Sequence, residues 1–237
     1  MCMGLAASVG MMAAGAAGTA LTLRRGEPWA IPLTLGYFTL MEALQVAGYA
    51  TLDRCGSPVN EAVTLASYLH IAVQPLVINA FAMAIAPAAV SPGLRRAVYA
   101  LAGLATLALL VRLAPAGPFG PCDPATTMCA EALCTRTGTW HIAWEVPLNA
   151  GLPGLLGLSS SYVHFPAYLA AVFLLPLVYG AWRFVLFHAA FGPVLAWLLT
   201  PDMDEMPAIW CLFSIFLLVV ALSPAIRGRL LAAPRTT

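Results

Sequence analysis

The 237-residue sequence has no lysine at all, and only 9% of its residues are charged. A soluble domain of this size would not stay dispersed with so few charges, so an apolar solvent is expected around it. The missing lysine excludes a retinal Schiff base, and with it a working rhodopsin. Net charge is only +1 with no basic cluster, which excludes a nucleic-acid surface. No positive stretch precedes the first apolar run either. Arg24 and Arg25 follow it, so the run reads as a first membrane span inserted N-terminus outward rather than as a cleaved signal peptide. Cys2 does not lie in a lipoprotein-type cleavage box. No internal repeat or low-complexity tract stands out, and residues 1–237 read as a single integral membrane domain.

What is abundant is hydrophobic sequence, 61% of the chain. A spanning helix needs roughly 20 mostly apolar residues. Seven segments qualify: 2–23, 29–51, 62–87, 97–114, 162–182, 184–200 and 208–226. In the first, Gly4, Ser8, Gly15 and Gly18 are small enough to let a neighbouring helix approach closely. Arg24, Arg25, Arg95, Arg96, Arg183, Arg227, Arg229 and Arg235 fall on one side of these segments. Asp53, Glu61, Asp123, Glu131, Asp202, Asp204 and Glu205 fall on the other. The arginine-bearing side is cytoplasmic by the positive-inside rule. The expected fold is therefore an all-α polytopic bundle of a bacterial-type inner membrane, with seven spans, the N-terminus outside and the C-terminus in the cytoplasm. Its partner is the lipid bilayer.

Two connections stand apart. Residues 115–140 form a Cys-containing extracytoplasmic loop. Residues 141–161 are apolar, yet seven spans require both their ends outside, and Pro147, Gly151, Pro153 and Gly154 would interrupt a helix. This segment is expected to make one or two helical turns and then a re-entrant or interfacial loop. The alternative is eight spans with a cytoplasmic turn at Ser159, Ser160 and Ser161. In the seven-span topology Cys2, Cys55, Cys122, Cys129 and Cys134 lie outside, and Cys211 lies near the outer end of the last span. Such segregation suits disulfides in an oxidising compartment, with up to three bridges in fifteen pairings. Metal binding by Cys122, Cys129 and Cys134 is the alternative, although their spacing lacks the Cys-x-x-Cys knuckle.

Ionisable groups in a membrane segment cost about 2.5 kcal/mol or more each and are kept for a partner or a function. Glu42 and Gln45 share a face of the second span; His70 and Gln74 share one on the third. Glu42 and His70 each lie about eight residues, or about 12 Å, from the outer end. His141 and Glu145, four residues apart, would share a helical face, and His164 opens the next span at the same level. These donors suit a zinc or iron site, with His70, His141, Glu145 and His164 as ligands. Bound water there would become a nucleophile at neutral pH. Glu42 would act as general base or fourth ligand, Gln74 would orient, and Ser67, three residues before His70, would donate to an oxyanion. The plainer alternatives are a protonated Glu42 bonded to Gln45 or His70, an interhelical bond at His70, and a packing role for Ser67. Asn79 reads as an interhelical hydrogen bond, and His188 as unrelated to the outer cluster.

Met41-Glu42-Ala43-Leu44-Gln45, Leu69-His70-Ile71-Ala72-Val73-Gln74-Pro75 and Trp140-His141-Ile142-Ala143-Trp144-Glu145-Val146-Pro147 resemble strings of a bacterial membrane family known only as a domain of unknown function. The resemblance covers nearly the whole chain and implies an integral membrane protein, with no activity attached. In architecture the chain is similar to the superfamily of alkaline ceramidases and progestin and adipoQ receptors. That likeness implies seven spans, an outer N-terminus and a histidine-held zinc whose water cleaves a lipid amide. Ser67 and His70 match its Ser/His element, whereas the seventh segment here lacks the paired histidines of its last helix.

The function expected first is a membrane-embedded, metal-dependent hydrolase acting on a lipid or other hydrophobic substrate at the periplasmic leaflet. The alternatives are a small transporter or a membrane assembly or sensor protein, for which Pro32, Pro75, Pro166, Pro176 and Pro193 supply broken spans, or haem binding by His70 with His141 or His164.

Overall fold

The computed structural model of the chain describes residues 4–86, 89–155, 165–223 and 225–226. Cys2, His164 and the serines at 159–161 lie outside these residues. Among the described residues the chain folds into α1 (Leu5–Arg24), α2 (Ala30–Ala50), α3 (Pro58–Ala84), α4 (Pro92–Val111), α5 (Pro166–Val178), α6 (Trp182–Leu199) and α7 (Met206–Leu222). Helices α1 to α4 and α6 are long and apolar enough to cross a membrane, and α5 and α7 are shorter apolar helices. Each of the seven expected segments therefore contains a helix. α4 starts earlier than its apolar run because the Ser91 hydroxyl accepts the Leu94 N–H at 3.3 Å and Pro92 supplies a pre-set first turn.

The centre of the bundle is apolar. Leu35 and Phe38 of α2, Phe81 of α3, Val172 of α5, Phe184 of α6 and Leu217 of α7 are all buried in one cluster. α1 joins it through its small residues: Gly15 lies against Thr39 and Ile215, and Gly18 against Leu218, with no room for a Cβ at either. α4 turns Leu101, Leu104 and Leu107 outward, each at least half exposed.

α5 and α6 are each interrupted by a π-helical turn, at Ala170–Leu174 and Ala190–Val194. In α5 the Leu175 N–H bonds back five residues to the Ala170 carbonyl. In that register the donor for the Ala171 carbonyl would be residue 176, which is a proline and has no N–H. Asn79 supplies the missing donor. Its Nδ2 reaches the Ala171 carbonyl and the Pro75 carbonyl at 2.8 Å each, while its Oδ1 accepts the Tyr179 hydroxyl at 2.8 Å.

Residues 134–150 depart from expectation. Instead of helical turns opening at His141, β1 (Cys134–Thr137) and β2 (Ile142–Glu145) pair antiparallel, with Cys134 opposite Glu145 and Arg136 opposite Ala143. Ile142, Trp144 and Val146 alternate with Ala143 and Glu145, a period-2 pattern of good strand formers. A bridge from Cys134 to Cys55, with Cα atoms 5.0 Å apart, pins the partner strand to the turn before α3. One helical turn follows at Gly151–Leu155; the rest of the expected re-entrant stretch lies outside the described residues. A second bridge, Cys122 to Cys129 with Cα atoms 6.0 Å apart, closes the preceding loop. Cys211 is a free, buried thiol.

The hairpin lies over one end of the bundle. The Asn60 side chain, on α3, bonds the Thr135 backbone at both N–H and C=O, and the Asp53 carboxylate accepts from Thr137. At the other end, the Arg25 guanidinium donates to the Leu222 carbonyl at 3.3 Å. Replacing Asn79 by Ala would leave the Ala171 carbonyl and the Tyr179 hydroxyl buried without their partner. We expect a loss of about 1–2 kcal/mol in reversible unfolding from bicelles. A change near zero would show that the π-turn carbonyl does not need Asn79.

Candidate functional site

The hairpin is held down by Glu205, at the start of α7. The turn before that helix is organised by its own side chains: the Thr200 hydroxyl accepts the Asp202 N–H at 3.1 Å and the Asp202 carboxylate accepts the Asp204 N–H at 3.0 Å. This aims the fully buried Glu205 carboxylate into the tight end of the hairpin. It accepts the backbone N–H groups of Thr139 at 3.1 Å, of Trp140 at 2.5 Å and of His141, and the Thr200 hydroxyl at 2.5 Å. Gly138 is required by this approach, since a Cβ there would lie 2.7 Å from the Glu205 carboxyl carbon and 2.8 Å from the His141 carbonyl.

Beside it, Arg136 binds three carboxylates: Glu145 at 2.6 Å, Asp202 at 2.9 Å and Asp204 at 3.0 Å. The hydrogen bond to Asp202 leads in raising the Arg136 pKa further, so the guanidinium stays charged. Burial pushes the Asp204 carboxyl above its ordinary value, against the lowering pull of Met128 N–H and Arg136. Asp53 is pulled below the usual carboxylate range, first by the Thr137 hydroxyl and then by the Thr137 N–H.

The Glu205 clamp positions His141. Its ring is buried between the hairpin and α2, with Nε2 2.5 Å from the Gln45 Oε1 and Nδ1 2.7 Å from the Tyr49 hydroxyl. Gln45 donates its Nε2 to the Ala208 carbonyl at 3.0 Å, which fixes its amide orientation. Because an amide oxygen only accepts, His141 carries a proton on Nε2, and its Nδ1 is paired with the Tyr49 hydroxyl. Gln45 Oε1 also takes the Ser8 hydroxyl, at 3.3 Å. One chain of side chains thus connects α1, α2, α7 and the hairpin.

Glu42 lies three residues before Gln45, on the same face of α2. It is fully buried, and among the described residues its carboxyl oxygens make no hydrogen bond of good geometry, with the Ser8 hydroxyl, given to Gln45 at 3.3 Å, within reach of them. Tyr49 and Cys211 are within its electrostatic reach.

The other expected site residues are engaged elsewhere. His70 and Tyr37 clamp α3 to α2: His70 Nε2 donates to the Tyr37 carbonyl at 2.8 Å, the Tyr37 hydroxyl donates to the His70 carbonyl, and the rings stack at 3.7 Å. Gln74 accepts the Tyr168 hydroxyl at 2.5 Å and donates to the Cys211 sulfur at 3.4 Å. Ser67 donates to the Val63 carbonyl of its own helix at 2.9 Å. Glu145 pairs with Arg136 in the hairpin. Among the described residues no group of three or more His, Cys, Asp or Glu side chains is placed to hold a metal ion. Sequence reasoning joined Glu42, Gln45 and His141 but missed Ser8, Tyr49, Gly138 and Glu205. Only the Thr-Pro-Asp-Met-Asp-Glu string at 200–205, a turn signal opening an apolar run, could have drawn attention to Glu205.

The chain belongs to a family of unknown function, DUF5765, whose sequence profile matches residues 6–231. No curated protein and no solved structure matches it.

Glu205→Ala would strand three backbone donors and the Thr200 hydroxyl. We expect a cost of roughly 2–4 kcal/mol, with faster amide exchange at residues 139–141. Asp53→Asn keeps an acceptor for Thr137 and suits the left-handed backbone at residue 53 (φ 60°), so it should disturb the hairpin far less. Because Asp53 is lowered in the folded state, its contribution is intact at neutral pH. It is lost only as the pH falls through and below the ordinary carboxylate range, which a pH series of thermal melts on wild type and Asp53→Asn would resolve.

Proposed function

We propose that the chain is a bacterial-type inner-membrane protein that crosses seven times, N-terminus outside, and that it binds a proton at Glu42 in the network beneath the hairpin. It groups with small transporters or membrane sensor components. Several observations support the topology. The two disulfides lie at the hairpin end, as an oxidising outer compartment favours. Arg24, Arg25, Arg95, Arg96 and Arg183 lie on the opposite side by chain order, and Arg136, at the hairpin end, is offset by three carboxylates. The leucines that α4 turns outward suit lipid.

The observation that carries the functional reading is Glu42, enclosed, making no hydrogen bond of good geometry among the described residues, and with only the Ser8 hydroxyl of the Ser8–Gln45–His141–Tyr49 chain within reach. An ionised carboxylate left in this way would be buried without compensation, and one proton removes the charge. A zinc or iron enzyme would need His70, His141 and Glu145 around one point. Those side chains bond to Tyr37, Gln45 and Arg136 instead.

Infrared difference spectra of wild type and Glu42→Gln in lipid test the reading. A carboxylic-acid carbonyl band at neutral pH, present in wild type and absent in the otherwise folded variant, is expected. Its absence from wild type would overturn proton binding at Glu42. Elemental analysis of the same preparations is expected to find no stoichiometric zinc or iron. Metal lost on both His70→Ala and His141→Ala would favour the hydrolase instead.

A further inference from the structure

α6 carries a second buried imidazole that the outer network does not use. His188 is 3% exposed and boxed by the rings of Phe173, Phe184 and Trp210, whose centroids lie 5.4–5.6 Å away. Among the described residues its Nε2 has no hydrogen-bond partner. An aromatic box can cover the ring faces but cannot bond an in-plane nitrogen, so that atom is left with an unmet requirement.

Next to His188 the helix is broken. Gly192 leaves the helical region (φ −106°, ψ −106°) within the π-turn Ala190–Val194. Pro193 has no N–H, so residue 193 can donate neither to the Ala189 carbonyl in an α register nor to that of His188 in a π register. A cavity of about 10 Å³ opens here, lined by His188, Gly192, Trp210 and Ser214 among others. That is about the space one water occupies. Ser214 uses its proton on the Trp210 carbonyl at 3.0 Å and keeps its oxygen lone pairs for an incoming donor. The box is polar at two points, the imidazole nitrogen and the serine oxygen.

We propose that this cavity is a binding site for a single water molecule, bonded to His188 Nε2 and Ser214 Oγ. Larger solutes are excluded by the volume, and an apolar occupant would leave the imidazole unmet.

The test is a high-resolution structure from lipidic crystals of wild type, His188→Phe and Ser214→Ala. Wild type should show one ordered oxygen at hydrogen-bond distance, about 2.6–3.2 Å, from His188 Nε2. His188→Phe, which keeps the aromatic box, should lose it with the fold intact. Ser214→Ala, which removes the second partner, should lower its occupancy. A wild-type cavity that is dry or filled by an acyl chain, an Nε2 bonded to a protein group, or occupancy unchanged in Ser214→Ala would each overturn the assignment. Should His188→Phe fail to fold, the wild-type density and Ser214→Ala alone decide it.

Discussion

Four donors converge on one buried carboxylate, and much of the hairpin end of the molecule depends on that convergence. Glu205 gathers three consecutive backbone N–H groups and the Thr200 hydroxyl in a dry setting, where charge-assisted bonds are strong and an uncompensated carboxylate would be severely penalised. A two-stranded hairpin of four residues a side would not hold its shape alone. It is fixed by this anchor at its turn, by the Cys55–Cys134 bridge at its open end, and by Asn60 and Arg136 along its edges. Because His141 is one of the three donors, the same anchor determines where the imidazole enters the bundle.

A second rule operates within the helices. Where a proline or π-turn removes a backbone donor in an apolar layer, a side chain from a neighbouring helix supplies one, since water is scarce there. Asn79 does this for the Ala171 carbonyl, and the reciprocal Tyr37–His70 pair ties α2 to α3 with two bonds. Among the described residues, the Glu42 oxygens, like His188 Nε2, make no hydrogen bond in a fully buried setting.

Much of the fold was legible because apolar runs and prolines are local signals. The seven runs each hold a helix, and Pro58 and Pro92 explain why two helices start before their apolar stretch. The segment at 141–145 misled because residues four apart share a face in a strand as well as in a helix, so His141 and Glu145 fit either. The hairpin decides otherwise, sending Glu145 to Arg136 and His141 to Gln45. The depth argument joined Glu42, Gln45 and His141 but also drew in His70, because depth says nothing of rotation about a helix axis. Glu205 was read only as an outer acid. Its backbone partners lie 64 to 66 residues away, and no spacing rule reaches that far.

The account rests on His141 being held with a proton on Nε2, between Gln45 and Tyr49. Nitrogen-15 NMR of histidine-labelled protein in lipid bilayers reads this directly. The account predicts one sharp His141 signal with Nε2 protonated and both nitrogens hydrogen-bonded, that broadens or shifts in Glu205→Ala. An Nδ1–H tautomer, a metal-coordinated shift or a signal unaffected by the loss of Glu205 would contradict it.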